Sequence, residues 1–225
     1  MEGMSERNMN TLGFCRPLVA LTLAVLLISG AHGDVAKVLP MECRTDCVAP
    51  YGTVLGATRR GIEAYSNCNS DCVIFDPNRW NGTYTGIKWQ CVEYARRWLL
   101  QNKGAVYGDV DVAADIWEKI DHLVEVGTQK KLPLESRLNG SEQPPRPGDL
   151  LIYAKAFNNT GHVAVVIDVD HEAGHIKVAE QNFRNQPWSN DYARKIELLE
   201  RSGRYWLLDA YLLGWKHLLS EELAK

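Results

Sequence analysis

The stretch that decides the fold is TGIKWQCVEYARRWLLQN, residues 85–102. A glycine-containing loop runs into Cys91, after which Val92, Ala95, Trp98 and Leu99 recur at helical spacing, with Glu93, Arg96, Arg97 and Gln101 on the opposite side. The spacing predicts an amphipathic helix with a thiol in its first turn, ended by Gly104. At that position the unpaired backbone N–H groups and the positive end of the helix dipole favour a thiolate over a thiol. The plainer reading makes Cys91 a small core residue, although an inert buried cysteine would fit better in mid-helix on the apolar face.

Outward from this helix, 225 residues with 45% hydrophobic and 24% charged composition predict one sizeable core. The net charge of -3 lacks the basic surplus that nucleic-acid binding requires. Residues 1–33 read as a signal peptide: Arg7 and Arg16 precede an apolar run from Leu18 to Ile28, followed by the small residues Ser29, Gly30, Ala31 and Gly33. The run is short for a bilayer span, so cleavage is expected over retention as an anchor, with no stable membrane insertion afterwards. The remainder divides into a cysteine-containing leader (34–50), a catalytic-size domain (51–218) and a polar tail (219–225), and the expected location is the secretory pathway, secreted or lumenal.

Cysteine usage agrees with that compartment. Of six cysteines, Cys15 falls in the signal, while Cys43, Cys47, Cys68 and Cys72 form two C-x-x-x-C pairs able to make two disulfides in three connectivities. A structural zinc site suits these four less well, since zinc favours tighter knuckles and reducing compartments. Cys91 is left over, and reactivity is the simplest reason to keep a thiol unpaired there. The sequons at Asn81, Asn139 and Asn158 are candidate glycan sites.

Further along, Asn78 to Gly86 reads as a polar loop, and Ala113, Ile116, Trp117 and Ile120 as the core stripe of a second helix capped by Asp109 or Asp111, with His122 at its edge. Pro133, Pro144, Pro145 and Pro147 make 132–149 a surface crossover. Leu150–Tyr153, His162–Asp168, Ile176–Phe183, Tyr205–Leu208 and Tyr211–Trp215 read as strands. Helices precede antiparallel strands, so the class is α+β.

A thiolate mechanism needs a histidine on a rigid element and a group to orient it. Among six histidines, His162 follows a glycine and opens an apolar strand, although a strand-end histidine is also a common surface residue. A five-residue loop from Asp170 to Gly174 would pair Val169 with His175, place His162 opposite Asn182, and put Glu180 on the same face. A two-residue loop would shift that register. His171 to His175 reads HEAGH, formally a zinc-protease pattern, but that pattern requires a helix and here lies in a turn between strands, so no metal is expected.

Taken together, GIKWQCVEYARRWLL (86–100), RPGDLLIY (146–153), NTGHVAVVIDV (159–169), KVAEQNF (177–183) and LGW (213–215) resemble the CHAP amidase and peptidase family, in particular the amidase domains of glutathionylspermidine and trypanothione synthetases. The resemblance spans roughly Tyr51 to Leu218. It implies a papain-like α+β fold with Cys91 as nucleophile, His162 as general base and acid, and Glu180 as orienting residue. Gln90 and the backbone at Cys91 would lie near the oxyanion, Asn182 would support the site, and Trp89 and Arg96 would contact substrate. Hydrolysis through a thioester then needs no cofactor, and without a Gly-rich phosphate loop ATP-driven ligation is not expected. The substrates implied are a glycyl–polyamine amide or, for a secreted enzyme, a peptidoglycan peptide; a catalytically silent binding module is the reading of a different class.

Overall fold

The computed structural model describes residues 39–219; the expected signal peptide, including Cys15, and the tail beyond Leu219 lie outside the described residues. A hairpin of β1 (Val54–Ala57) and β2 (Glu63–Tyr65) is followed by a second of β3 (Pro77–Trp80) and β4 (Thr83–Ile87), which leads into α1 (Cys91–Lys103). Then come β5 (Ala105–Val106), α2 (Asp115–Lys119), β6 (His122–Glu125), β7 (Lys131–Leu138), β8 (Leu150–Tyr153), β9 (His162–Asp170), β10 (His175–Ala179), β11 (Arg194–Arg201), β12 (Arg204–Leu207) and β13 (Leu212–Leu218). Among the described residues, the last nine strands form one antiparallel sheet in the order β12-β11-β10-β9-β8-β13-β7-β6-β5. A large antiparallel sheet with few helices fits the α+β class read from the sequence.

The middle of that sheet is buried on both faces, which explains why β8 reads as the unbroken apolar run LLIY. Leu150 and Ile152 face one core with Val163, Val165 and the α1 residues Tyr94, Ala95 and Leu99, whereas Leu151 and Tyr153 face a second core with Val166, Ile196, Leu207 and Trp215. The second core is enclosed because the sheet curls: Tyr205 of β12 pairs with Ser141, just beyond β7, and Asn139 exchanges hydrogen bonds with Leu207.

Helix α1 starts at Cys91 and closes at Gly104, which takes the left-handed conformation (φ 65°) and donates its N–H to the Leu100 carbonyl. Its expected solvent face is nevertheless buried. Glu93, Arg96 and Arg97 are 0%, 5% and 3% exposed, because the β3–β4 hairpin, and at Arg97 strand β2, cover the side that periodicity assigned to water. Burial is tolerated because the charges are paired: Arg97 Nε donates to Glu93 Oε1 at 2.7 Å, and Asn78, Thr85 and Gln181 also donate to that carboxylate. Gly86 (φ 138°) permits this approach, since a Cβ there would stand 2.9 Å from the Glu93 Cα. Glu93→Ala, which strands the Arg97 charge, is expected to cost about 3–5 kcal/mol in denaturant unfolding. A loss below about 1 kcal/mol would mean the pair behaves as a solvated one.

Several expectations are corrected. The polar loop 78–86 belongs to a hairpin turning at Asn81-Gly82 (φ 47° and 81°), a turn sequence that the sequon reading passed over. The second helix is only Asp115–Lys119, with Ala113, Ile116 and Ile120 buried as expected but Ala114, not an aspartate, at its N-cap. His122 opens strand β6 instead of edging that helix. The proline-rich crossover contains β7, where Pro133 takes part through its carbonyl, which accepts from the Leu219 N–H. Strand β11 lies in a stretch not read as a strand, although its alternation of buried Ile196 and Leu198 with exposed Lys195 and Glu197 has the period of one.

Candidate active site

Cys91 is the first residue of α1, preceded by Gln90 in an extended conformation. It is the unpaired cysteine among the described residues, because Cys43 bonds to Cys72 and Cys47 to Cys68. The adjacent layer is β9, and β9 begins with His162. Gly161 (φ 72°) makes the turn into that strand, where a Cβ would stand 2.5 Å from the Tyr153 carbonyl. The imidazole, 1% exposed, is packed by the rings of Tyr153, Phe157 and Phe183 at 5.3–5.9 Å.

The turn after β9 holds four residues, not five, so His175 pairs with Asp170 and Ile176 with Val169. A bulge between Lys177 and Val178 absorbs the one-residue difference, and Ala179 faces Val165 as the five-residue loop required. The ladder then stops. Glu180 reaches the imidazole, with Oε2 2.8 Å from His162 Nε2, which leaves Nδ1 for the thiol. Asn182 does not continue the ladder opposite His162, because its backbone turns left-handed (φ 57°) and its Nδ2 donates to Gln90 Oε1 at 2.8 Å. HEAGH forms the β9–β10 turn and the first residue of β10.

Electrostatically, burial pushes the Cys91 thiol up. The His162 charge and hydrogen bond outweigh it, helped by the backbone N–H groups of Val163 and Val92, and the net shift is downward from 9.0. Burial works against the charged form of His162, but the Cys91 thiolate, assisted by Glu180, raises its pKa from 6.5 to about 9. The Glu180 carboxyl is raised by burial and lowered further by His162 and Arg194, ending below 4.5. All three shifts favour a thiolate–imidazolium pair beside a carboxylate at neutral pH. Alkylation of Cys91 by iodoacetamide is therefore expected to titrate at lower pH than that of glutathione run alongside. A midpoint equal to or above glutathione's would contradict the ion pair.

Behind Glu180 stands Arg194, which the sequence reading did not single out. Its Nε donates to Glu180 Oε1 at 2.6 Å, one terminal nitrogen donates to Asp209 at 2.6 Å, and the other lies 2.8 Å from the Tyr153 hydroxyl oxygen. The Tyr153 hydroxyl in turn donates to Asp209 at 2.6 Å. The guanidinium carbon lies 4.1 Å from the Phe183 ring centroid. Charge thus alternates along Cys91, His162, Glu180, Arg194 and Asp209. Arg194 sits on the unread strand β11, and nothing in the local sequence ties it to Glu180, fourteen residues away.

The remaining predicted residues have partners outside this line. The Gln90 side chain donates to the Cys72 carbonyl (3.1 Å) and to Asn67 Oδ1 (3.4 Å), so its amide braces the loop. Trp89 stacks on Tyr65 with centroids 4.1 Å apart. Arg96 lies over the rings of Tyr84 and Tyr107, donates to Asp109 at 3.0 Å, and keeps a buried Nε without a hydrogen-bond partner among the described residues. A pocket of about 100 Å³ lined in part by Glu180, Asn182, Phe183 and Arg194 flanks the site. A larger one of about 400 Å³, lined in part by Arg59, Trp98, Lys103 and Lys177, lies at the other end of α1 and contains none of these groups.

Residues 81–182 match the family model of the CHAP domain. The chain carries a CHAP domain. The match takes in Cys91, His162 and Glu180 and ends at Asn182, so Arg194 and Asp209 support the CHAP site from outside the matched span. Over 185 residues the chain is 36% identical to the bifunctional glutathionylspermidine synthetase/amidase of Escherichia coli (strain K12), covering 74% of this chain and 29% of that protein. It is 33% identical over 175 residues to trypanothione synthetase of Crithidia fasciculata, covering 77% of this chain and 26% of the relative. The chain spans less than a third of the length of these curated relatives.

Proposed function

We propose that the protein is a cysteine amidase of papain-like design that hydrolyses an amide bond through a thioester acyl-enzyme. The observation that carries this reading is the buried line from Cys91 through His162 to Glu180, with the thiol in the first turn of α1. The family match and the amidase named in the relative support amide hydrolysis in general.

In this mechanism the Cys91 thiolate attacks the carbonyl carbon, forming a C–S bond while the carbonyl π electrons move to oxygen. The backbone N–H of Cys91, the first of α1 and without an intrahelical partner, faces the developing oxyanion, with Gln90 beside it. His162 gives its proton to the amide nitrogen as the C–N bond breaks and the amine leaves. The same imidazole then takes a proton from water, whose oxygen attacks the thioester; the C–S bond breaks, the acid departs and the thiolate returns. Glu180 holds the ring throughout, and Arg194 holds Glu180. Trp89 and Arg96 contact the substrate, and Asn182 supports the site through Gln90.

For substrate, the first reading is an amide like that between a glutathione-type glycine and a polyamine, following the relative's name. A second, a peptidoglycan stem or cross-bridge peptide, is favoured by the two disulfides, which suit an oxidising compartment. Mass spectrometry of the products released from both substrates separates the two readings. Release of free polyamine supports the first, turnover of wall peptides alone replaces it with the second, and turnover of neither removes the amidase proposal.

A further inference from the structure

The residue before Cys91 is held by a structure outside its own helix. Gln90 makes no side-chain cap bond to α1. Its Nε2 donates to Asn67 Oδ1 (3.4 Å), and its Oε1 accepts from Asn182 Nδ2 (2.8 Å). Asn182 Oδ1 accepts from Asn185 Nδ2 (3.4 Å), and Asn185 Oδ1 accepts from the backbone N–H of Asn67 (2.7 Å). Four amide residues thus close a ring under the loop that delivers the thiol. Asn67 is 0% exposed and Asn185 is 1% exposed, so these bonds face little competition from water.

Asn67 ties the ring to the disulfides. Its Nδ2 donates to the Cys72 carbonyl at 2.6 Å, its Oδ1 also accepts from the Trp89 backbone N–H at 3.5 Å, and the next residue is Cys68. Cys72 is bonded to Cys43 and Cys68 to Cys47, so both anchor points of Asn67 are covalently fixed to the leader. Residues 88–90 lie between β4 and α1, outside either ladder. Backbone bonds hold Lys88 to Asp76 and Gln90 to Ile87, but the Trp89 N–H between them is met by the Asn67 side chain, and a displacement of about 1 Å in a reacting group costs roughly 100-fold in rate.

We propose that Asn67 is a positioning residue for Cys91, acting through Trp89 and Gln90 and mounted on the Cys43–Cys72 and Cys47–Cys68 disulfides. The proposal rests on the reading of Cys91 as nucleophile, and it gives the cysteine-rich leader a role in the site. None of the ring's members other than Gln90 and Asn182 belongs to the reacting neighbourhood described above.

The test compares wild type with Asn67→Ala in thermal unfolding, in the pH profile of iodoacetamide alkylation followed on the Cys91 peptide, and in kcat and KM for amide turnover. The expected result is a folded variant whose alkylation midpoint moves up toward that of a free thiol. Its kcat falls roughly 10- to 100-fold while KM stays within about threefold. A folded variant with wild-type kcat and alkylation profile overturns the proposal. If Asn67→Ala does not fold, Asn185→Ala and the paired Cys43→Ser/Cys72→Ser variant open the ring or its mount elsewhere, and unchanged profiles in both overturn it equally. The alkylation readout needs no substrate. A wild type that cleaves neither amide, with alkylation still responsive to Asn67, would sink the amidase reading and leave the positioning role standing.

Discussion

Cys91→Ala is expected to lower amide turnover by roughly 10⁴-fold or more, because no other group stands where the thiolate meets His162. The fold should survive. The substitution removes one sulfur from the end of a core cluster, and alanine is the best helix former. A second readout belongs to His162. Its pKa of about 9 is raised chiefly by the Cys91 thiolate, so in the variant the imidazole should titrate at lower pH in an NMR experiment. Activity within tenfold of wild type would assign the nucleophile elsewhere, and an unmoved His162 titration would show that the two groups are not paired.

Glu180→Gln is expected to lower kcat by roughly 10²- to 10⁴-fold with little change in KM, since the residue orients the imidazole without touching the scissile bond. The carboxylate accepts from both His162 and Arg194, and glutamine can satisfy at most one of those donors while carrying no charge. His162 then loses one of the interactions holding its proton, and the alkaline limb of the pH–rate profile should move to lower pH. Removing one member of a buried ion pair also destabilises, so activity must be referred to the folded fraction. If only the melting temperature falls, and kcat per folded molecule and the pH profile stay as in wild type, Glu180 is a structural partner of Arg194 and not the orienting residue.

Arg194 marks the boundary of what reading along the chain supplies. Cys91, His162 and Glu180 each announce themselves locally: a helix start, a glycine-preceded strand start, and a shared face two residues before Asn182. Arg194 does not, because its meaning comes from Glu180, Asp209 and Tyr153, which meet it from β8 and from segments on either side of β11 and β12. Asn67 is similar. In the sequence it is one asparagine beside a cysteine, and only the pairing Cys47–Cys68 and Cys43–Cys72, chosen from three connectivities, places it under Gln90.

The register of the β9–β10 hairpin shows the same division. The count from a five-residue loop placed Ala179 opposite Val165, and that pairing is present, but through a four-residue turn and a compensating bulge that no residue count distinguishes. Where the ladder ends at Ala179, the expected place of Asn182 was lost, since a left-handed turn is a tertiary compromise between Glu180 facing His162 and Asn182 facing Gln90.

By itself the sequence determined the start and end of α1, the apolar run of β8, and the identity of a lone thiol and a strand-borne imidazole. Those properties follow from short-range periodicity, capping and residue chemistry, which act within a few positions of the chain. The tertiary structure decided that Glu93, Arg96 and Arg97 are buried, although helical periodicity assigned them to solvent. It decided as well which cysteines pair, and that Arg194 and Asp209 extend the charge line behind Glu180. The physical reason is common to all three: the cost of burying a charge or closing a loop is set by what lies across from it in space, and periodicity along one segment carries no record of that partner.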